Sequence, residues 1–503
     1  MRRLVQSMVM RKLGGNRHRV NPDSGTLPRN LARPASAAVI GGGIAGLTAA
    51  AVLAERGFRV TLMERRGWLG GKAGSWTETL GDGFTARIDH GFHGFFRQYF
   101  NLKGFMEKTG AARWLVPIDD YRILLADGRS FAFRDVERTP LLNMLSLRKA
   151  GVYRLGDMAR NPRSGRLLSF LRYHPRRTFE QWDGVSFERF AEEAAIPPAM
   201  RKMFTTFSRS FFADNELMSS AELMKSFHYY FLSNDLGLLY DYLATDFETG
   251  FTGPARRYLE SLGVAVRCSR GVQRVHPTAS GLGVDGAAFD AVVLAADVES
   301  SKAILRQSDD ILRRDPETWE RMQSVGASQG YAVLKVWTDR PTREKMPVFV
   351  ATERVRLLDS ITQNHAVDPS AAAWARETGG GVFELHCYAL PPRLSHAEIR
   401  EGLVQELARC LPDLAGVQVV HEHLQVNRDF TAFHVGMNAR RPGTDTAIPG
   451  LVLAGDWVKL AVPAMLMEAA CTSGVFAANR LLEDRGLCPE PIWSVPAKGV
   501  LAS

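Results

Sequence analysis

AAVIGGGIAGLTAAAVLAERGFRVTLME, residues 37–64, reads as strand, turn, helix, strand. Ala37–Ile40 is a short apolar strand, and Gly41, Gly43 and Gly46 form the pattern G-x-G-x-x-G. An apolar helix is predicted over Ile44–Arg56, with Gly57 as its natural stop, and a second parallel strand over Arg59–Met63. Glu64 closes that strand, 23 positions after Gly41. Gly41 permits the tight turn, Gly43 lets the backbone approach a pyrophosphate, and Gly46 lets helix and strand pack closely. The helix N-terminus offers free N–H groups to an anion, and the terminal acid accepts ribose hydroxyls. A lone G-x-G-x-x-G is weak evidence, but one set between a strand and a helix, with the acid at this spacing, is strong. The bland alternative is a glycine-rich turn in an ordinary α/β domain. Gly41, Gly43, Ala45, Gly46, Glu64 and Arg65 are therefore the expected dinucleotide contacts.

The same region imitates a membrane span, because residues 35–54 carry no charge over the length a bilayer requires. The glycine cluster at 41–43 argues against that reading, since it breaks a helix and is better explained by the turn. A chain of 503 residues with 45% hydrophobic residues is expected to fold as two or three domains around a large core. Its five cysteines (Cys268, Cys387, Cys410, Cys471 and Cys488) are scattered without a CxxC pair, which disfavours a zinc module or disulfide framework.

The net charge is +9, but eight Lys/Arg against Asp23 alone fall within residues 1–33, leaving the body nearly neutral. A nucleic-acid protein would carry its basic excess on the folded body, so no nucleic-acid partner is expected. Residues 1–33 are expected to be a disordered basic tail. Being Arg-rich and acid-poor, they would alternatively be an organellar transit peptide, which would place the protein in a plastid.

After Glu64 comes RRGWLGGKAGSW, with Gly70, Gly71, Lys72 and Ser75. This extension resembles the double-glycine segment of the FAD-binding amine oxidase and carotene desaturase superfamily. In that reading Lys72 faces the phosphates; otherwise it is a solvated surface charge. IPGLVLAGDWVKLAVPAMLMEAACTSGVFAANRLLEDRG, residues 448–486, resembles the second flavin signature of the superfamily. The resemblance implies that Gly455 and Asp456 contact the cofactor and that a helix beginning near Pro463 turns its positive end, around Met465, toward the flavin. Glu468 is either a buried structural acid or a flavin neighbour. VAVRCSRGVQRVHPTASGLGVDGAAFDAVVLAAD, residues 264–297, would complete the cofactor sheet, with the backbone of Val272 against the adenine.

The expected architecture is α/β. A discontinuous Rossmann-type FAD-binding domain would comprise residues 34–130, 241–330 and 441–485. A helical substrate and membrane-contact region would span 131–240, a substrate-domain sheet 331–440, and a C-terminal tail 486–503. Between Thr139 and Arg177 nine Lys/Arg, among them Arg154 and Arg160, face Asp157 alone and are interleaved with apolar residues such as Val152, Tyr153 and Leu155. Such a stretch suits an anionic membrane surface or a solvated helix face. His386, Cys387, His421 and His423 do not have convincing metal spacing, so no metal is expected.

DHGFHGFFRQYFNLKGF, residues 89–105, packs six aromatic rings around two histidines and an arginine. Placed on a helix, Phe92, Phe95, Phe96, Tyr99 and Phe100 share one face, and His93, Arg97 and Asn101 share another. That disfavours a metal site or a base-stacking platform and favours an apolar wall. GFHGFFRQYFNL (91–102), RSFFADNELMSSAELMKSFHYYFL (209–232) and LAGDWVKLAVPAMLMEAACTSGVFAANRLL (453–482) resemble the bacterial carotenoid ring synthases, which desaturate the β-ionone ring of β-carotene and shift a methyl group to give an aromatic φ- or χ-ring. Some of those enzymes carry an added iron–sulfur domain; this chain lacks the cysteines and histidines for one.

The resemblance implies an FAD-dependent oxidoreductase of carotenoid biosynthesis, held peripherally on the cytoplasmic side of a membrane, with its terminal electron acceptor left open. Phe92, Phe95, Phe96 and Tyr99 would line the substrate pocket, His93 or Glu468 would accept a proton, and Arg97 would point away from any cation, in a flavin or structural salt-bridge role. A linear carotene or polyprenoid desaturase is the alternative. A non-enzymatic prenyl carrier of the same architecture is disfavoured by the intact Glu64, Gly70-Gly71 and Asp456.

Overall fold

The computed structural model describes residues 2–22, 25–134, 136–149, 156, 161–237, 240–279 and 281–502. Residues 37–64 fold as their pattern demands. Strand Ser36–Ile40, helix Ile44–Glu55 and strand Arg59–Met63 follow one another around the glycine turn. The two strands are the middle of a five-stranded, all-parallel sheet in the order Ala265–Arg267, Arg59–Met63, Ser36–Ile40, Ala291–Leu294, Leu451–Leu453. Three segments far apart in sequence thus build one nucleotide-type sheet. Parallel strands inside such a sheet are buried on both faces, which is why Ser36–Ile40, Ala291–Leu294 and Leu451–Leu453 are almost wholly apolar, whereas the edge strand Ala265–Arg267 is largely exposed.

Helix Ile44–Glu55 packs against the long helix Leu466–Glu483, and both are built of small residues where they meet. A Cβ on Gly474 would lie 2.3 Å from the Ala45 carbonyl oxygen, so only glycine fits there. The long helix begins at Leu466, three residues later than Pro463 suggested.

A second, seven-stranded sheet has the order Val419–Asn427, Tyr331–Thr338, Gly381–Cys387, Ser360–Gln363, Phe349–Thr352, Arg122–Leu124, Ser130–Ala132. Its edge strands Arg122–Leu124 and Ser130–Ala132 come from the stretch preceding the helical region, so residues that were assigned with the first sheet join the second. Along Gly381–Cys387 the side chains alternate. Phe383, Leu385 and Cys387 share an apolar core with Ile399, Leu403 and Leu407 of helix His396–Cys410. Glu384 and His386 face the other way.

Two expectations fail here. Residues 92–99 are not helical. Phe95–Phe96 is a short strand paired with Tyr240–Asp241, and the helix begins only at Phe100 and runs to Thr109. Gly91 sits at φ +128°, and a Cβ on Gly94 would press on the Tyr240 ring at 3.0 Å, so the chain is shaped by a distant partner rather than by its own period. Nor is the basic tail disordered as described. Arg2–Leu13 is a helix whose Val5, Val9 and Leu13 stripe packs on Val500, and His18–Arg19 pairs with Trp493–Ser494 of the expected C-terminal tail. The Arg17 guanidinium lies 3.9 Å from the Trp493 ring centroid, a contact worth roughly 0.5–1 kcal/mol where solvent reaches it.

Of the basic stretch 139–177, Val152, Tyr153, Arg154, Leu155, Asp157 and Arg160 lie outside the described residues. Among the described residues no helix is long and apolar enough to cross a membrane.

Candidate active site

A single cavity of about 910 Å³ runs from the glycine turn to a chamber of aromatic rings. At one end it is lined by Gly41, Gly43, Ala45, Glu64, Arg65, Gly70, Gly71, Lys72, Val272, Gly455 and Asp456. The glycines there have different reasons to be glycine. A Cβ on Gly46 would sit 1.9 Å from the Gly41 carbonyl oxygen, and one on Gly41 2.7 Å from the Ala295 carbonyl oxygen, so the fold itself forbids both. Gly43 has an ordinary φ of −74° and open space for a Cβ, which would meet nothing within 4 Å beyond its own chain neighbours. That open space is a cradle for a pyrophosphate at the start of helix Ile44–Glu55. Gly70, at φ +104°, bridges Gly43 and completes the cradle with Gly71.

Glu64 is buried, and its two carboxylate oxygens accept from Gly42 N–H at 2.7 Å and Arg66 N–H at 2.8 Å, which fixes it at the cavity wall. Arg65 is mostly exposed and lies 3.9 Å from Asp297. Lys72 donates to Asp456 Oδ2 at 3.1 Å and to the Asp429 carbonyl oxygen at 3.3 Å, and its ammonium lies 4.9 Å from the Phe430 ring centroid. Burial alone would lower its pKa, but Asp456, Asp429 and Asp297 together outweigh that and hold it above the usual lysine value. Lys72 is thus an ion-pair partner at the cavity rather than a solvated charge. Asp456 Oδ1 accepts from Thr431 Oγ1 at 2.8 Å.

The helix Leu466–Glu483 opens onto the cavity through Leu466 and Met467. Leu466 adopts φ +53°, an arrangement that costs roughly 1–3 kcal/mol for a side-chain-bearing residue and tends to mark a working site. The N–H groups of Glu468 and Ala469 both go to the Met465 carbonyl oxygen, at 3.1 and 3.2 Å. Those of Leu466 and Met467 have no backbone partner among the described residues. These features fit a flavin dinucleotide: an anion cradle, a ribose-side acid and a positive helix end on one continuous wall.

Three of the predicted residues are placed elsewhere. Met465 is fully buried, with its sulfur 3.8 Å from Ser226 Oγ, and it is the following two residues that face the cavity. Glu468 does not line the cavity either. Its carboxylate accepts from the N–H groups of Asn101 and Leu102, capping helix Phe100–Thr109. Phe95 is fully buried and packs toward Phe247, because on a strand its side chain points away from that of Phe96.

Phe92, Phe96 and Tyr99 do line the chamber, and so does His93. Phe92 stacks on Phe349 at 5.1 Å, Phe96 lies 4.6 Å from the Tyr230 ring centroid, and Tyr99 and Tyr230 share a 2.8 Å hydroxyl hydrogen bond. Arg97 lies 3.9 Å from Asp241. His93 Nδ1 donates to the Gly91 carbonyl oxygen at 2.6 Å, and burial, with His90 nearby, pushes its pKa down to about 4. It is neutral at ordinary pH.

Sequence reasoning missed a polar strip between the two ends of the cavity. Tyr331 Oη donates to Asp429 Oδ1 at 2.8 Å and lies 3.0 Å from His90 Nε2. Burial would raise Asp429, but His90, Lys72 and Tyr331 hold it below the usual carboxylate range. Beside this strip Phe212 stacks on Phe430 with centroids 3.9 Å apart. Farther along the sheet, His386 Nε2 and Glu384 Oε1 are 2.6 Å apart, and the same oxygen accepts from Phe92 N–H at 2.6 Å. The only sequence signal for this pair was the alternation in GVFELHC, which puts two polar residues on one face of an apolar strand.

Comparison with known proteins agrees with this geometry. The chain is 34% identical over 501 residues to the carotenoid phi-ring synthase of Streptomyces griseus, covering 96% of each chain. It is 27% identical to the carotenoid phi-ring synthase of Chlorobaculum tepidum, over 95% of this chain and 93% of that one. Tomato 15-cis-phytoene desaturase is 24% identical over 90% of this chain and 78% of its own. Among solved structures, putrescine oxidase bound to putrescine superposes with a TM-score of 0.65 over 90% of this chain and 99% of that one, at 17% identity, which shows a shared fold. A family model described as flavin containing amine oxidoreductase matches residues 44–482, most of the chain and both ends of the cavity. The chain belongs to this family, as an oxidoreductase whose cofactor is FAD.

Proposed function

We propose that this protein oxidises and rearranges the end ring of a cyclic carotenoid such as β-carotene, giving an aromatic φ- or χ-type ring. The observation that carries the reading is the single cavity in which the glycine cradle runs directly into an aromatic, largely apolar chamber. The names of its full-length relatives support the same substrate class. Each end ring must lose two hydrides and two protons while one methyl group moves to the neighbouring carbon. The flavin supplies the hydride acceptor. The protein's part is to hold the hydrocarbon, exclude water and receive protons.

In this reading Gly41, Gly43, Gly70 and Gly71 cradle the dinucleotide phosphates, with Ala45 and Arg65 at their flanks, and Gly46 lets the helix pack closely behind them. Glu64 takes the ribose hydroxyls and Val272 the adenine. Gly455 and Asp456, the latter set by Lys72, hold the middle of the cofactor, and Leu466–Met467 present the helix end. Phe92, Phe96 and Tyr99 form part of the hydrocarbon wall, with His93 as a neutral neighbour. Ring faces of this kind stabilise a desolvated cation by ~2 kcal/mol each. The chain would dock peripherally on a membrane through the region around Met144, which lines the cavity, and the exposed Leu145 and Leu168.

The test is to supply FAD-loaded protein with β-carotene in lipid vesicles and to analyse the pigments. Aromatic end rings are the expected product. Conversion of linear carotenes with β-carotene left untouched would instead assign a linear desaturase.

A further inference from the structure

The ring reaction must deposit protons on the protein, and the chamber wall holds a group arranged to take one. Glu384 and His386 lie two residues apart on the cavity-facing side of strand Gly381–Cys387, both buried. The Glu384 carboxylate can only accept, so His386 Nε2 carries a hydrogen and donates it across the 2.6 Å contact. In the neutral tautomer that keeps this hydrogen, the ring's lone pair is on Nδ1. That nitrogen has no hydrogen-bond partner among the described residues and is not among the buried atoms shut off without one, and His386 lines the cavity. Burial would raise the Glu384 pKa, but His386, Lys335 and the Phe92 N–H hold it below the usual value, so the carboxylate stays ionised. His386 opposes Val333 across the sheet, two residues from Tyr331 of the polar strip, and lines the same cavity as both Tyr331 and Phe92.

We propose that His386 Nδ1, oriented by Glu384, is the proton acceptor for aromatisation of the carotenoid end ring. The proposal rests on the ring-oxidising reading above. In the step assigned to it, the ring cation left after hydride loss and methyl migration gives up a proton from the carbon that received the methyl group. The C–H pair becomes the new ring double bond, and the proton joins Nδ1. The resulting imidazolium is held by the Glu384 carboxylate, the arrangement that a carboxylate–histidine pair serves in hydrolases. His93 is less suited, because its burial makes it a weak base.

The test compares wild type with His386→Gln, whose amide can still reach Glu384 but which has no base at the Nδ1 position, and with Glu384→Gln, which keeps an acceptor but loses the charge. Flavin content and the quenching of protein fluorescence by β-carotene report folding and substrate binding, and both are expected to stay at wild-type levels. Aromatic product from H386Q is expected to fall ~100-fold or more, with unrearranged, partly oxidised rings rising relative to aromatic ones. E384Q is expected to shift the same ratio less. A merely structural role would lower all products together. If wild type makes aromatic rings and H386Q makes them at the same rate and ratio, this proposal is overturned while the ring-oxidising reading stands. If H386Q does not load flavin, an unchanged product ratio in E384Q overturns it. If wild type makes no aromatic rings, both readings fall.

Discussion

Glu468 reaches back from the first turn of one helix to close the first turn of another, accepting from Asn101 N–H at 2.9 Å, Asn101 Nδ2 at 2.8 Å and Leu102 N–H at 2.9 Å. Asn101 in turn donates from Nδ2 to the Trp493 carbonyl oxygen at 2.7 Å and accepts from Trp493 N–H at 3.0 Å. One buried acid therefore ties the start of helix Phe100–Thr109 to the cofactor-side helix, and one amide ties it to the C-terminal strand. Glu468→Ala is expected to cost about 2–4 kcal/mol of stability by leaving buried donors unpaired. Denaturant unfolding would measure it, and a loss under 1 kcal/mol would contradict this assignment.

Burial pushes the Glu468 pKa up to about 8, although the hydrogen bonds from Asn101 and Leu102 oppose it. A carboxyl group whose pKa is higher folded than unfolded binds more protons in the native state, so its contribution is full below pH ~4.3 and lost as pH rises through 8. Wild-type melting temperature should carry this downward component between pH 5 and 9, and Glu468→Gln should remove it. Identical pH slopes in the two proteins would count against it.

Gly43 and Gly46 separate a cofactor requirement from a folding one. Gly46→Ala is expected to abolish soluble protein, because its Cβ would overlap the Gly41 carbonyl oxygen. Gly43→Ala should fold normally, since its backbone and surroundings accept a methyl group, yet bind FAD at least ~10-fold more weakly, equivalent to ~1.4 kcal/mol. Titration of flavin-free protein with FAD gives the answer, and wild-type affinity in G43A would show that the cradle is misassigned.

Lys72→Met leaves Asp456 beside Thr431 with no cation. Removing one partner of a part-buried charged pair costs more than the pair itself contributes. Flavin occupancy in K72M should drop severalfold at fixed FAD concentration while Lys72→Arg keeps much of it. The visible flavin absorbance of purified protein reads both.

Phe92 and Phe95 lie three residues apart and should behave oppositely. Phe95→Ala empties a fully buried site and should cost about 3–5 kcal/mol. Phe92→Leu should alter the ratio of carotenoid products with little change in melting temperature, because Phe92 faces the chamber. Pigment analysis combined with thermal melts would separate them.

Residues 37–64 were legible almost to the residue because every cue there is local: an apolar strand, a glycine turn, a helix with a glycine stop, and an acid at the next strand end. The discontinuous sheet was legible chiefly through the family resemblance, which joined residues 264–297 and 448–486 to the first segment; Ala265–Arg267 alone is too short and exposed to announce itself. Residues 92–99 misled because aromatic spacing at helical period also arises by chance in a segment lining a cavity. What makes Phe95–Phe96 a strand is Tyr240–Asp241, more than a hundred residues away. Glu468 was readable as a buried acid, but its partner Asn101 was not. Val5, Val9 and Leu13 form a short apolar stripe that the tail's charge concealed. The Glu384–His386 pair and the Tyr331–Asp429 strip depend on which face of the second sheet meets the cavity, which only the assembled sheet defines.

The cavity has one interior, so each occupant is part of the other's container. A hydrocarbon seated among the rings removes water from the flavin side, and a seated flavin removes water from the hydrocarbon side. Two ligands that share a boundary in this way have linked affinities, and linkage is reciprocal. Whatever factor the carotenoid adds to the affinity for FAD, FAD adds to the affinity for the carotenoid.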